Sequence, residues 1–322
     1  MPLLADTEPS TALSRLLPRL ACPSCRSSLT HDGEALTCNG CRQRFRVDGS
    51  VPILLAAESA EMIDGFRDVA ENVKLRRAFG RSPALLRLID IIRPPHPFWY
   101  MRRKVSHAQR VAFTLLAERQ PASDDPIYLD IGSGILGGAN ASGLSSNIRR
   151  HTIPLEIAPT AGVGVVGDAH RLPFRDGSVD GLLIQGVLEH VLDPEQIVGE
   201  IFRVLKPGAP VFAEVPFIQH YHLDPVDFRR WTHYGFAHLF RQFVQESAGV
   251  CAGPASALAD MLTEFPALLF SSPALYWGVK TVSGWVFAPL QFLDAIWSSA
   301  RRAHVMAGAV YFLGSKPRDG TL

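Results

Sequence analysis

Residues 127–143, IYLDIGSGILGGANASG, constrain what this chain can fold into more than any other stretch. Ile127, Tyr128 and Leu129 are apolar or aromatic, Ile127 is β-branched, and the run suits a buried strand. Asp130 arrives at its end, and Gly132, Gly134 and Gly137 follow in the order G-x-G-x-x-G. Glycine tolerates positive φ and lets a ligand approach the backbone closely. Strand, glycine turn and helix N-terminus predict a nucleotide-sized cleft at the carboxyl edge of a parallel sheet. A carboxylate at that spot repels a pyrophosphate and attracts an ammonium, so Asp130 narrows the ligand. The glycine pattern alone leaves a plain surface loop as the competing reading.

Three strings then arrive in order. D-I-G-S-G, residues 130–134, resembles the first motif of class I S-adenosylmethionine-dependent methyltransferases. G-D-A-H-x-L-P-F-x-D-G-S-V-D, residues 167–180, is highly similar to the third motif of the small-molecule (type 11-like) members. E-I-F-R-V-L-K-P-G-x-x-V, residues 200–211, resembles their late motif. The resemblance implies an α/β fold: a doubly wound, Rossmann-like, seven-stranded sheet whose last strand inserts antiparallel beside the sixth. It also implies S-adenosylmethionine as cofactor, held by Asp130, Gly132, Ser133 and Gly134, with Gln185 facing its methionine end. Glu156 ends the predicted second strand, 24 positions beyond Gly132, where a carboxylate accepts from ribose hydroxyls. NAD enzymes share that logic, so Glu156 alone does not choose the cofactor. Asp168 and the Ala169 N–H sit where an adenine edge is met.

Cys22-Pro-Ser-Cys25 and Cys38-Asn-Gly-Cys41 are two C-x-x-C knuckles with twelve residues between them. Four thiolates close a tetrahedral zinc shell and leave no open position for chemistry. So short a segment buries little core, and the metal supplies folding energy. Residues 16–55 resemble the small zinc-ribbon proteins that activate partner tRNA methyltransferases. Fused to the larger domain, the ribbon either braces it or touches substrate. Arg42, Arg44 and Arg46 alternate, as on a solvated edge strand.

The expected division is a zinc ribbon over 1–55, a helical connector over 56–120 and a methyltransferase domain over 121–322. A helical insertion over 253–302 lies before the last strand. In the connector, helical spacing covers Lys104–Glu118, after a turn over Pro94–Trp99. Asp193, Pro194 and Gln196 mark a helix start of capping-box type. Glu189 and His190 are expected near the pocket rim, with a purely structural role for His190 as an equal reading.

Past the fifth predicted strand, residues 219–233 gather three histidines, two aspartates and two arginines where the sulfonium methyl should point. Methyl transfer depends chiefly on alignment. A nucleophile that must lose a proton also needs a base, and His222 is the expected catalytic base, with Asp227 orienting it or the substrate. His220 is the spare. The same groups equally suit hydrogen bonds that hold the loop shut. A metal set of His220, His222 and Asp224 is a minor alternative.

The insertion is rich in Phe, Leu, Trp and Pro, and neither half of 265–292 reaches the roughly 20 apolar residues that span a bilayer. A buried helical cap is the favoured expectation. Peripheral membrane contact through 265–297 is the other, with Trp277, Trp285 and Trp297 at an interface. The formal net charge of +1 leaves no global nucleic-acid footprint, and no signal peptide is readable, so the cytoplasm is the default. The expected function is methyl transfer to a small-molecule, glycan or lipid acceptor. An RNA methyltransferase, a non-catalytic scaffold on the same fold, and a dinucleotide oxidoreductase are the alternatives.

Overall fold

The computed structural model describes residues 9–59, 99–119, 124–133, 143–159, 162–222 and 226–318. The seven predicted strands of the large domain form as β5 (Tyr128–Ile131), β6 (Thr152–Glu156), β7 (Val165–Gly167), β8 (Gly181–Gln185), β9 (Pro210–Pro216), β10 (Val244–Ala252) and β11 (Ala309–Ser315). They lie in the order β7-β6-β5-β8-β9-β11-β10. The first five run parallel, and β11 inserts antiparallel between β9 and β10. Strands β5, β8 and β9 are buried at every position, as expected where helices cover both faces of a parallel sheet. The strand order reverses at β5, which puts the cleft beside Asp130 and Gly132.

The sheet does not stop at seven strands. β1 (Leu29–His31), β2 (Ala35–Cys38), β3 (Arg44–Asp48) and β4 (Val51–Leu54) form an antiparallel ribbon, and β4 then pairs in parallel with β7. Ile53 lies opposite Val166 and Leu54 opposite Gly167, so the described strands make one eleven-stranded sheet. The apolar close of the ribbon thus covers an edge that would otherwise expose unpaired backbone groups. Leu20 bridges Phe174, Arg26 meets Glu200 at 3.1 Å, and Arg19 donates to the Ser178 carbonyl at 3.0 Å. The ribbon braces the large domain. Arg44 and Arg46 stay exposed and pair with Asp32 and Asp48.

Helix α1 (Pro9–Leu16) precedes the ribbon, and α2 (Trp99–Glu118) covers one sheet face through Phe113 and Ala117, against Tyr128, Leu183 and Phe212. α2 begins five residues before the expected Lys104, inside the predicted turn and just past Pro97. α3 (Ser146–Arg150) follows the glycine region. On the other face lie α4 (Pro194–Val204) and α5 (His233–Leu239), packing Ile197, Ile201, Phe236 and Phe240 into the larger core. Asp193 caps α4 by accepting from Gln196 N–H, as expected. The Gln196 side chain does not complete a capping box; it donates to the His170 carbonyl at 2.8 Å and ties α4 to the turn after β7.

Between β10 and β11 come α6 (Pro254–Glu264), α7 (Pro273–Phe287) and α8 (Asp294–Trp297), joined by 3₁₀ turns. They are short helices, as expected; α6 is largely buried, whereas α7 is not the buried cap that was expected. In α7 the buried positions are Ser283 and Gly284, while Leu275, Val282, Trp285 and Val286 are exposed. The small residues allow close packing inward, and the bulky apolar ones are left facing out.

Candidate cofactor and acceptor site

Asp130 is buried at the carboxyl end of β5, and the turn begins at Gly132 with φ +69°. A Cβ there would sit 2.1 Å from Val187 Cγ2, so both backbone shape and space demand glycine. The Gly132 N–H donates to the Leu155 carbonyl at 3.0 Å, and Ser133 is buried beside it. Gly134 and Gly137 lie outside the described residues. Glu156 ends β6, half-buried, one strand over from Asp130.

Asp168 and Ala169 open the turn after β7, both buried. The Asp168 carboxylate accepts from the His170 N–H at 2.9 Å, meets His170 Nδ1 at 2.8 Å, and accepts from Ser59 Oγ at 2.6 Å. Burial works to raise its pKa, but these hydrogen bonds outweigh that and hold it below the ordinary value. An adenine amino group would share an oxygen already in use, which two lone pairs per oxygen permit.

Gln185 ends β8 and is buried between two groups that sequence reasoning missed. Its Nε2 donates to Glu214 Oε2 at 2.9 Å, and Arg110 of α2 approaches its Oε1 at 3.4 Å. The one legible signal was Glu214 itself, a lone carboxylate in the apolar strand VFAEVP. Arg110 gave none, because Gln185 is 75 residues away in sequence.

The loop after β9 folds back over the segment after β8. Phe228 N–H donates to the Glu189 carbonyl at 2.8 Å, His190 Nδ1 meets the Val226 carbonyl at 2.7 Å, and Arg229 donates to the Leu192 carbonyl at 2.7 Å. These bonds bring His222 against His190, with ring centroids 5.1 Å apart in an edge-to-face arrangement. Burial pushes the His222 pKa down, with the Asp227 charge opposing. Asp227 meets that ring at ion-pair distance and holds the residue chiefly through its backbone. Its carboxylate is clamped by Arg230 and accepts the His222 backbone N–H at 3.0 Å, while His222 Nδ1 stays 3.5 Å away. Its first geometric effect is on the loop. His220 is tied to Asp260 of α6 through Nδ1 and its N–H, and Asp224 lies outside the described residues. The donor set that forms is instead Glu189, His190 and His222.

In the ribbon, Cys22 and Cys41 Sγ lie 3.7 Å apart, and Cys25 and Cys38 Sγ 3.4 Å. Tetrahedral zinc with bonds of about 2.3 Å separates its sulfurs by about 3.8 Å, so the four thiolates fit that ion. Arg26 and Arg42, each just after a knuckle, adopt φ +61° and +64°, which closes both C-x-x-C turns alike. Burial pushes the Cys22 thiol up to about 12, while Ser27 hydrogen bonds bring Cys25 down to about 6. A dication offsets the charge that the interior disfavours at Cys22.

Comparison with known proteins agrees with this architecture. Residues 129–213 match the methyltransferase domain family model Methyltransf_11, and residues 14–50 match the Trm112p-like protein model. The chain is 32% identical over 105 residues to norajmaline N-methyltransferase of Rauvolfia serpentina, covering 28% of this chain and 36% of that protein. It is 31% identical over 140 residues to sterol methyltransferase-like 2 of Botryococcus braunii, covering 39% and 34%. The chain therefore spans about a third of the length of these curated relatives. A solved complex of the Haloferax volcanii Trm112 methyltransferase activator with a putative methyltransferase aligns with 69% of this chain and 96% of that chain. It does so at 18% identity and a TM-score of 0.38, too low for inference. The chain thus carries a segment that matches the methyltransferase domain model and, ahead of it, a Trm112p-like segment whose four cysteines are grouped to hold a metal ion.

Proposed function

We propose that this protein transfers a methyl group from S-adenosylmethionine to a small-molecule, glycan or lipid acceptor. The observation that carries the reading is the buried Asp130 carboxylate set two residues before the positive-φ Gly132 at the switch point of the sheet. There Asp130, Gly132, Ser133 and Gly134 hold the methionine and ammonium end, with Gln185 beyond them. Glu156 takes the ribose hydroxyls, and Asp168 with Ala169 takes the adenine. The acceptor lies under the loop after β9, and its proton, where it has one to lose, goes to the cluster around His222. Asp227 positions that loop.

The names of the relatives favour a small molecule or sterol over RNA. The Trm112p-like match keeps RNA as the second reading. The apolar face of 265–306 favours an acceptor met at a lipid surface. Leu269 is 82% exposed and Ile296 71%, Arg301 and Arg302 are exposed, and Asp294, the sole carboxylate of that stretch, is fully buried. Apolar surface with basic and Trp neighbours suits an anionic interface. No helix among the described residues is long and apolar enough to cross a membrane.

The test is calorimetry with S-adenosylmethionine, then mass spectrometry of extract metabolites, lipids and RNA after incubation with methyl-labelled cofactor. Binding with label in the small-molecule or lipid fraction supports the reading. No binding of the cofactor or its demethylated product overturns it, and label confined to RNA selects the second reading.

A further inference from the structure

We propose that Glu189, His190 and His222 form a second metal site, separate from the ribbon, that takes a divalent ion of the zinc or cobalt kind. Each residue offers one donor atom, and the three donor atoms lie within 4.8 Å of one another. The Glu189 side chain is 2% exposed, His190 12% and His222 31%, so Glu189 and His190 are withdrawn from water and His222 keeps the site open to it. A tetrahedral ion with bonds of about 2.1 Å separates its donors by about 3.4 Å, and His190 Nε2 already lies 3.8 Å from Glu189 Oε1. Rotation of side chains closes the remainder.

An independent observation points the same way. His190 Nδ1 is 2.7 Å from the Val226 carbonyl oxygen. A carbonyl only accepts, so Nδ1 carries the hydrogen and Nε2 of the neutral ring keeps its lone pair on the Glu189 side. A backbone carbonyl that fixes one imidazole nitrogen so that the other can ligate is the usual support of a metal-bound histidine. On the far side, His222 Nδ1 faces its own loop, 3.4 Å from the His220 carbonyl and 3.5 Å from Asp227. Asp227 is committed to Arg230 and competes little for the ion.

Two imidazoles and one carboxylate leave room for a further ligand, the arrangement of an open site rather than a closed structural one. Imidazole nitrogen favours zinc or cobalt over calcium or manganese. The site deepens the methyl-transfer reading: with the ion bound, His222 serves as its ligand and not as a base, and the open position would receive an acceptor through an oxygen donor. The binding of the ion itself does not depend on that reading.

The experiment keeps zinc in the ribbon of the full chain and titrates Co²⁺, followed by visible absorption. The expected result is one further equivalent with weak nitrogen- and oxygen-type d–d bands and no thiolate charge-transfer band. Glu189→Gln, which keeps shape, and His222→Ala should each weaken that binding at least tenfold while the melting curve stays that of the parent. A variant that unfolds is replaced by the other. Absence of the extra equivalent, cobalt found only on thiolates, or undiminished binding in both folded variants overturns the site. Calorimetry with S-adenosylmethionine on the same samples reports separately on the methyltransferase reading.

Discussion

Ser59 Oγ donates a 2.6 Å hydrogen bond to Asp168 Oδ2, and both side chains are buried. Ser59 lies just past β4, the strand by which the ribbon joins the sheet, and Asp168 opens the turn proposed to read adenine. The ribbon's exit and the cofactor crevice therefore share one hydrogen bond. Replacing Ser59 by Ala leaves a buried carboxylate short of a donor and should cost about 1.5–3 kcal/mol. Urea denaturation should show the midpoint lowered with an unchanged slope. An unmoved midpoint would separate ribbon and crevice energetically.

Gly132→Ala forces a side chain into the left-handed region, at about 1–2 kcal/mol, and into Val187. Asp130→Ala removes the carboxylate without that strain. Both should abolish detectable S-adenosylmethionine binding by calorimetry, and only the glycine variant should pay an additional penalty in stability from strain. Wild-type affinity in Asp130→Ala would mean the pocket lies elsewhere.

Loss of zinc should be felt through the whole protein. Because β4 pairs with β7 and Arg26 meets Glu200, the ribbon is not an independent unit. Stripping the ion with a chelator, or Cys38→Ser, should lower the melting temperature of a single shared transition. Two separate transitions, with the large domain's unchanged, would contradict the shared sheet.

His151 supplies the pH test. Burial and then the Arg15 charge push its pKa down, with Asp125 opposing. Arg15 can donate to Nδ1 only while the ring is neutral there. The unfolded chain binds a proton near its ordinary pKa of about 6.5, and the folded chain resists it, so stability is full above that value and falls as pH drops below it. Arg150 opposes the proton too, and Asp180 favours it. Denaturation midpoints from pH 7.5 to 5.5 should decline, and His151→Gln should flatten that decline. Equal slopes in both proteins would remove His151 as the cause.

The outward apolar face of α7 and its neighbours predicts flotation with anionic liposomes. Trp285→Asp combined with Leu269→Asp should abolish it at high and low salt alike, since both positions are exposed. Protein that stays at the bottom of the gradient with anionic and neutral vesicles alike would sink the lipid-surface reading.

Much of the sheet was legible beforehand because its signals are local. Apolar runs of strand length mark β5, β6, β8, β9 and β11, and the Asp193-Pro194 cap marks α4. The knuckle cysteines were legible for the same reason: two residues between ligands is a property of one turn. The exposure of α7 was not legible because apolar composition reads as buried, whereas this helix packs inward through Ser283 and Gly284.

What the chain order and local chemistry determined by themselves is the strand succession, the four-thiolate set and the carboxylate beside the first glycine. Only tertiary structure decided that β4 extends the sheet, that Arg110 and Glu214 enclose Gln185, and that Glu189 and His190 meet His222. The physical reason is sequence distance. Turns and caps are set by residues within reach of one another along the backbone. A contact between groups 32 or 75 positions apart exists only after the elements carrying them have packed.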